Sequence, residues 1–417
     1  MKWLFLIGLF WHSLACAIPE AERGSQSNFL VISDIHLNIH TQHAMEFAPT
    51  TATVHNDLDR VTFEQLVRKI KTSIQSGEIP KPEFILLLGD LVGHIRFSQE
   101  DVVNAESRVL MSLQSAFPET PVLYTFGNND SLAGDYGVFR VDKPILDAHS
   151  PLDVIKTIWP RGHFLSTGAR CDRDHIYPCL LEKKTSSGYY AAYLKPNLRL
   201  IALNSVMFSK QRQGYSSDSV SEQLLWLDRQ LVEVEAAQES ALLVMHIPPG
   251  DNIYKAYFWS NTAFWSNGYS QQFVDIIQAH HRCLIGILTA HTHKDEIKII
   301  ENAGHMPLVG VYLNGALSTS HGNAPSIRSY VLSQSQDKLR WDLSDYWTYY
   351  FTQANNGDIQ VQPLYQFKNI YCDGQANKRM SDCLDSVNIS KLSRYLSVGN
   401  QNFNARISAP ENIYIHG

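Results

Sequence analysis

The sequence predicts an α/β fold with a layered arrangement, either α/β or αββα, in which helices cover β-sheets. Two observations support this prediction. Short apolar runs alternate with longer amphipathic stretches, and 44% of the 417 residues are hydrophobic. A chain of this size can bury one large core, or a main domain and a smaller one.

Six short apolar runs are predicted to be strands, because each is long enough for a strand and short for a helix. They cover residues 28–33, 83–88, 121–126, 198–203, 240–246 and 283–289. Two stretches between them place apolar residues on one helical face. That face carries Leu66, Val67, Ile70 and Ile74 in the first, and Leu224, Leu227, Leu231 and Val234 in the second. Residues 61–74 and 221–237 are therefore predicted to be helices.

The composition changes after about residue 345, where the sequence reads YWTYYFTQANNG and continues as a polar tail with a pair of cysteines. This change indicates a small C-terminal appendage that is helical in part. We therefore predict a main domain over residues 26–345 and a C-terminal subdomain over 346–417. No internal repeat or low-complexity tract interrupts either part.

Residues 1–17, MKWLFLIGLFWHSLACA, are predicted to be a secretory signal peptide. Lys2 supplies the positive start, an apolar run follows, and Ala15-Cys16-Ala17 is a small-x-small cleavage site. The run is too short to span a bilayer and no later segment is long enough, so no transmembrane segment is expected. Lipoprotein-type attachment at Cys16 is a competing interpretation, which Ser13 disfavours. The chain is expected to be secreted or periplasmic.

Five cysteines remain once the signal peptide is removed. Cys171 and Cys179, like Cys372 and Cys383, are close in sequence and flank polar segments, and export makes disulfides chemically reasonable. Cys283 opens an apolar run, which is typical of a buried thiol. The net charge of −6, with 18% charged residues, gives no reason to expect a nucleic-acid partner.

Polar side chains follow five of the predicted strands at the point where each strand ends. Because strand ends meet at one rim of a sheet, these side chains can converge although they span about 260 residues of sequence. Two divalent cations about 3.5–4 Å apart need such convergence, with one carboxylate bridging them. Any single histidine of this kind is usually structural, but five such motifs in order argue against chance. The side chains are those of Asp34, His36, Asp90, Asn128, His246, His291 and His293.

The order DIH, GD, GNND, HIPPG and HTH resembles that of the calcineurin-like metallophosphoesterases, and more narrowly that of the acid sphingomyelinase-like phosphodiesterases. The similarity covers about residues 28–350. It implies the metallophosphoesterase fold, a two-sheet sandwich flanked by helices with a small helical C-terminal appendage. It also implies an exported enzyme in which a metal-bound hydroxide attacks a phosphodiester or phosphoanhydride. Sphingomyelin-type lipids and nucleotides both fit as substrates.

The resemblance further implies two sets of metal ligands that share Asp90. One cation would be held by Asp34, His36, Asp90 and His293, and the other by Asp90, Asn128, His246 and His291. We expect two divalent ions, with zinc first and iron or manganese as alternatives, because His, Asp and Asn side chains accept all three. The oligomeric state is not indicated by the sequence.

His94 follows Asp90 by four residues in the stretch LLLGDLVGH. In the sphingomyelinase-like branch a histidine at this spacing lies near the leaving group, which implies a general acid that protonates the departing oxygen. The alternative is an exposed loop histidine. Gly89 is expected to let the backbone turn tightly where Asp90 must face both cations.

Asn129 departs from the pattern of the superfamily, which mostly has GNH followed by an acid where this chain has GNND. Asn129 can donate a hydrogen bond to a phosphoryl oxygen but cannot give up a proton. Either His94 acts as the acid alone, or the leaving groups need little protonation, as in phosphoanhydrides and nucleotides. The GNND motif is similar to that of the endopolyphosphatases, a related branch that cleaves phosphoanhydrides.

Two other functions compete with a phosphodiesterase. A phosphomonoesterase similar to the purple acid phosphatases is disfavoured, because the tyrosine that this resemblance would imply beside Asp90 is absent and Leu91, Val92 and Gly93 follow instead. A secreted, non-catalytic metal- or phosphate-binding protein is disfavoured because all seven expected ligands are present. Aromatic residues crowd the stretch 253–273. We expect ordinary loop packing there, with a wall beside the substrate as the alternative.

Overall fold

The structure is a computed structural model that describes ten ranges of the chain. The predicted signal peptide and residues 254–261 of the aromatic stretch lie outside these ranges. The described residues are 26–40, 57–94, 98–158, 171, 176–253, 262–337, 339–354, 356–375, 377–398 and 413–415.

The first of two large sheets has six strands. Its parallel strands are β1 (Gln26–Ile32), β4 (Ile85–Leu87) and β5 (Val122–Tyr124), and its antiparallel strands are β13 (Ser326–Gln334), β14 (Trp341–Gln353) and β15 (Ile359–Gln366). Their spatial order is β15-β14-β13-β1-β4-β5, so that β1 pairs with β13 on one side and β4 on the other.

The second sheet has eight strands in the spatial order 16-11-12-10-9-8-7-6. Its central strands run parallel, which places the ends of β9 (Ser240–Val244) and β10 (Leu284–Thr289) at the same edge of the sheet. The strands are β6 (Cys179–Lys184), β7 (Tyr189–Lys195), β8 (Leu198–Ala202), β9 (Ser240–Val244), β10 (Leu284–Thr289), β11 (Glu296–Glu301), β12 (Pro307–Leu313) and β16 (Tyr414–Ile415). Two further short strands, β2 (Leu37–Asn38) and β3 (Leu58–Asp59), pair with each other.

Helices flank both sheets. The described helices are α1 (Arg60–Ser76), α2 (Gln99–Ala116), α3 (Pro151–Ile158), α4 (Ser217–Ala236), α5 (Asn267–His280), α6 (Phe367–Tyr371) and α7 (Ile389–Tyr395). α1 contacts β15 and α2, whereas α4 packs on β8 and β9, and α5 contacts β11. α1 begins where Asp59 accepts a hydrogen bond from the amide of Thr62, and it ends at Gly77, whose φ is 81°. The two sheets contact each other through β10 and β14.

The predicted fold class is confirmed, because two sheets with helices around them form the described architecture. All six predicted strands and both predicted helices are present within a few residues of their expected bounds. The expected domain boundary at residue 345 falls inside β14, which pairs with β13 and β15 along its length. The division into two domains stays a prediction.

Two disulfides join the cysteine pairs that are close in sequence. Cys171 bonds to Cys179 and Cys372 bonds to Cys383. Cys283 is free and buried, and burial raises the pKa of its thiol to about 12. Within the described residues, no helix combines the length and apolarity needed to cross a membrane.

Glu106 of α2 is a buried carboxyl group, and neither of its oxygens has a hydrogen-bond partner among the described residues. Burial raises the pKa of Glu106 well above its ordinary value of 4.5, and the charge of Asp130 adds to the effect. The folded protein therefore keeps a proton that the unfolded chain releases above pH 4.5. Stability then falls as the pH rises from 4.5 towards the folded pKa.

Glu106→Gln is expected to raise the free energy of unfolding at pH 7 by about 1–3 kcal/mol, and not at pH 4. Denaturant unfolding of the variant and the wild type at both pH values measures the difference. Glu222→Gln, at an exposed position of α4, is the control and should change little at either pH. An equal gain at both pH values would contradict the titration of Glu106.

Candidate metal centre

All seven predicted metal-binding side chains lie where strands end. Asp34 and His36 follow β1, Asp90 follows β4, and Asn128 follows β5, all in the first sheet. The second sheet supplies His246 after β9, and His291 and His293 after β10. Six of the seven residues are buried and His291 is half-buried. The ends of the two sheets therefore bring all seven residues into one cluster.

One group in this cluster consists of Asp34, His36, Asp90 and His293. The Nε2 atoms of His36 and His293 lie 2.9 Å apart. Asp34 Oδ1 is 3.5 Å from Nε2 of His293 and 3.9 Å from Nε2 of His36. Asp90 Oδ2 is 3.6 Å from Nε2 of His36. The nitrogen and oxygen atoms of these four side chains that could bind a metal therefore face one small volume.

A second group shares Asp90 with the first. Asp90 Oδ2 is 3.2 Å from Nε2 of His246, which is also 3.2 Å from Oδ1 of Asn128. One ligand atom each from Asp90, His246 and His291 lie within 4.8 Å of one another. Asp90 therefore lies between the two groups, with its carboxylate facing both.

The backbone around these residues is strained. Asp34, His36, Asp90, His291 and His293 all have positive φ angles, between 47° and 75°. L-residues rarely adopt this conformation, and such strain concentrates at functional sites. These residues lie at the sharp turns that follow buried strands, where the backbone adopts positive φ angles.

Two glycines allow the Asp90 loop to approach the Asn128 loop. Gly89 has a φ of 86°, and a Cβ atom there would lie 2.6 Å from the backbone nitrogen of Gly127. A Cβ on Gly127 would lie 2.3 Å from Asp90 Oδ1. Both positions therefore exclude any side chain, and the tight turn expected at Gly89 is present.

Asp130 holds the Asp90 loop through hydrogen bonds to its backbone. This residue was not among the predicted site residues. Its carboxylate accepts hydrogen bonds from the amides of Asp90 and Leu91 at 3.0 and 2.7 Å, and from the hydroxyl of Tyr124 at 2.7 Å. The amide of Gly127 donates to it as well, at 3.0 Å. The signal for this residue was the acid that ends the GNND motif.

Hydrogen bonds to backbone carbonyls orient the rings of His36 and His246. Nδ1 of His36 faces the carbonyl of Val92 at 3.1 Å, and Nδ1 of His246 faces that of Leu88 at 2.7 Å. Carbonyl oxygens accept hydrogen bonds, so these nitrogens carry the protons of the neutral rings. In these tautomers the Nε2 atoms face the oxygens of Asp90, where either a second ring proton or a bound cation would offset the repulsion.

The pKa shifts of the buried groups describe the electrostatics of the cluster. Burial lowers the pKa of His36 and of His293 well below the ordinary value, so both rings are neutral ligands. Burial raises the pKa of Asp34 to about 7, and the charge of Asp90 contributes to the rise. Burial lowers and the charge of Asp90 raises the pKa of His246, which lies at about 9. The neutral rings of His36 and His293 and the crowded carboxylates suit divalent cations, and the raised pKa of His246 reflects the negative charge of Asp90 that cations would share.

His94, the predicted general acid, stacks on His36 with ring centroids 4.0 Å apart. Its Nδ1 is 2.8 Å from Oδ1 of Asp57, and its backbone amide donates to Oδ2 of Asp57 at 2.7 Å. Burial lowers the pKa of His94, but the hydrogen bond and the charge of Asp57 outweigh burial, so the pKa is raised overall. Gly93 makes room for Asp57, because a Cβ there would lie 2.5 Å from Oδ2.

Asn129 has a different contact from the one that its sequence position suggested. Its backbone amide donates to Asp90 Oδ1 and its side-chain Nδ2 donates to Asp90 Oδ2, both at 2.9 Å. These bonds orient Asp90 and use one of the two N–H groups of the side-chain amide. The contact with a phosphoryl oxygen that the sequence suggested for Asn129 stays a prediction.

Aromatic side chains border the cluster near His291. The ring of Phe264 is 5.3 Å from the ring of His291, and the hydroxyl of Tyr136 is 3.5 Å from Nε2 of His291. Trp265, in the same aromatic stretch, is buried against Phe208. Phe273 of the stretch is buried as well, against Trp265. Two aromatic residues of the described part of the stretch therefore pack in the core, whereas Phe264 contacts the cluster.

Comparisons with known proteins identify related chains. A sequence model of the calcineurin-like phosphoesterase family matches residues 27–295, which include all seven clustered residues. The chain is 23% identical over 311 residues to sphingomyelin phosphodiesterase 2 of Caenorhabditis elegans, covering 72% of this chain and 46% of that protein. It therefore spans about half the length of this relative.

Two human proteins are also similar. Acid sphingomyelinase-like phosphodiesterase 3b is 22% identical over 356 residues, which cover 79% of this chain and 71% of that protein. A cyclic GMP-AMP phosphodiesterase, SMPDL3A, is 23% identical over 290 residues, which cover 65% of this chain and 57% of that protein.

Proposed function

Because this chain belongs to the calcineurin-like phosphoesterase family, we propose that it is a phosphodiesterase of the acid sphingomyelinase-like branch with two divalent cations. The seven clustered residues would hold the cations, with Asp34, His36, Asp90 and His293 around one and Asp90, Asn128, His246 and His291 around the other. The observation that carries the proposal is the position of Asp90, whose carboxylate faces both groups of donor atoms. Bound cations would supply the Lewis acidity and the activation of water that phosphoester hydrolysis needs.

We propose His94 as the general acid. Asp57 accepts a hydrogen bond from Nδ1, so that Nε2 of the protonated ring carries the proton that the leaving oxygen would receive. The stacking on His36 sets the ring beside the metal-binding residues. Against the effect of burial, the hydrogen bond and the charge of Asp57 raise the pKa of His94, which favours the protonated ring that a general acid needs. Asp57 therefore acts as a positioning residue, and Asn129 acts in the same way on Asp90.

The substrate class is proposed from the names of the relatives. One is named for sphingomyelin and another for cyclic GMP-AMP, so both a lipid diester and a nucleotide diester are candidates. The GNND motif adds phosphoanhydrides to these candidates. Export through the signal peptide at residues 1–17 is part of the proposal, and the two disulfides agree with an oxidising compartment.

Metal analysis combined with turnover of bis-p-nitrophenyl phosphate tests the proposal. We expect about two tightly bound cations per chain, and phosphodiester hydrolysis that a chelator abolishes and zinc or manganese restores. Sphingomyelin, ATP, cyclic dinucleotides and polyphosphate then identify the preferred class. Two bound metals without turnover of any phosphoester would indicate a binding protein instead. Faster hydrolysis of p-nitrophenyl phosphate than of the diester would indicate a phosphomonoesterase.

A further inference from the structure

A fourth imidazole lies beside those of His36, His94 and His293. His321 is in the 3-10 turn Ser320–Gly322 between β12 and β13. Its ring is perpendicular to that of His293 at a centroid distance of 4.7 Å, and its centroid is 6.5 Å from that of His94. No sequence motif pointed to this residue, because it follows no predicted strand and stands in none of the five motifs.

The backbone holds His321 in place relative to His293. His321 has a φ of 60°, in the left-handed region. Its carbonyl accepts a hydrogen bond from Nζ of the buried Lys294 at 3.0 Å, and the same Nζ donates to Oδ1 of Asn323 at 2.8 Å. Asn323 in turn donates through Nδ2 to the carbonyl of His293 at 2.7 Å. These bonds join the His321 turn and the His293 loop into one unit.

This position matters because the backbone amide and one side-chain N–H of Asn129 are already bonded to Asp90. His321 lies in the connection between β12 of the second sheet and β13 of the first, on the side of the cluster where His94 lies. The centroids of His94 and His321 are 6.5 Å apart. Two imidazole rings that each donate an N–H to the same oxygen, at N···O distances of about 2.9 Å, have a similar separation.

We infer that His321 contacts the substrate, and that its imidazole N–H donates a hydrogen bond to an oxygen of the phosphoryl or leaving group beside His94. A neutral imidazole has one N–H and is sufficient for this contact. The inference rests on the proposed phosphoester chemistry of the same cluster. It assigns to His321 the contact with phosphate oxygen that the sequence suggested for Asn129.

The test uses inorganic phosphate as the probe, with the full-length, metal-loaded protein. Calorimetric titration of phosphate should show that His321→Phe weakens binding about tenfold or more, because a hydrogen bond to a charged oxygen is lost. The KM for bis-p-nitrophenyl phosphate should rise by a similar factor, while metal content and kcat change much less. His321→Asn keeps an amide donor and a residue type that tolerates positive φ, so it should retain most of the affinity.

His305→Phe is the matched control, because His305 also has a positive φ of 58° but is exposed in the turn between β11 and β12. If His321→Phe does not fold, His321→Gly replaces it, since glycine accepts this backbone conformation. Unchanged phosphate affinity, equal losses in the phenylalanine and asparagine variants, or loss of metal would overturn the inference. So would a wild type that binds no phosphate. His321-dependent phosphate binding without diester turnover would refute the proposed activity and leave this contact standing.

Discussion

Asp90→Asn is expected to lose at least one of the two cations and to reduce kcat/KM for bis-p-nitrophenyl phosphate by about 10³-fold or more. Among the described residues, Asp90 is the one side chain whose oxygens lie within 3.6 Å of histidines from both groups. Asparagine keeps the shape and tolerates the positive φ of 54° at this position. It removes the negative charge and replaces one acceptor oxygen by an NH2 group. The change therefore tests the bridging role without a large change in volume.

A second effect of Asp90→Asn acts on Asn129. The backbone amide and Nδ2 of Asn129 donate to different oxygens of Asp90. An asparagine at residue 90 would meet one of these donors with its own NH2 group, so one hydrogen bond would be lost. Both cation sites are therefore expected to loosen.

Metal content by mass spectrometry and turnover measure this prediction together. Asp373→Asn is the matched control, because Asp373 also has a positive φ, of 51°, and its side chain is 75% exposed. The control should keep two cations and full activity. An Asp90→Asn protein with both cations and near-normal turnover would show that no shared carboxylate is needed.

The strands that the sequence predicted share one property, which is a continuous apolar run. β4 and β9 are buried throughout and have this pattern. β14 was not predicted because Asp342, Ser344 and Asp345 interrupt its aromatic residues. β15 alternates weakly and is largely half-exposed or exposed, so no run identifies it. Pairing with β13 places these polar strands in the sheet, and a single strand's sequence does not reveal such pairing.

The site shows the same limit. The seven clustered residues could be predicted because each follows a strand, and the carboxyl ends of neighbouring parallel strands meet at one edge of a sheet. Asp57 and His321 could not, because neither follows a predicted strand and each acquires its role through contacts made only in the folded chain. Asp57 precedes His94 by 37 residues. The use of the Asn129 amide on Asp90 also depends on the close approach of two loops at Gly89 and Gly127.

His94→Ala is expected to have a large effect that depends on the leaving group. Hydrolysis of diesters of choline-type alcohols should fall by about 10²–10⁴-fold, because the departing alkoxide needs a proton. Loss with bis-p-nitrophenyl phosphate should be much smaller, since p-nitrophenolate leaves without one. kcat for the two substrate types, measured on protein with unchanged metal content, checks the prediction. Equal losses on both would remove His94 from the role of acid.

Asp57→Asn should give a weaker form of the same dependence, because the new side-chain amide oxygen could still accept from Nδ1 of His94 but carries no charge. Removing that charge lowers the pKa of His94, so alkyl-diester hydrolysis should decline at a lower pH than in the wild type. His280 and Asp228 form the control pair, 3.2 Å apart at the opposite end of β10 from the cluster. His280→Ala and Asp228→Asn should leave the pH profile and the leaving-group dependence unchanged. If Asp57→Asn also left the pH profile and the leaving-group dependence unchanged, the charge of Asp57 would have no part in holding the proton of His94.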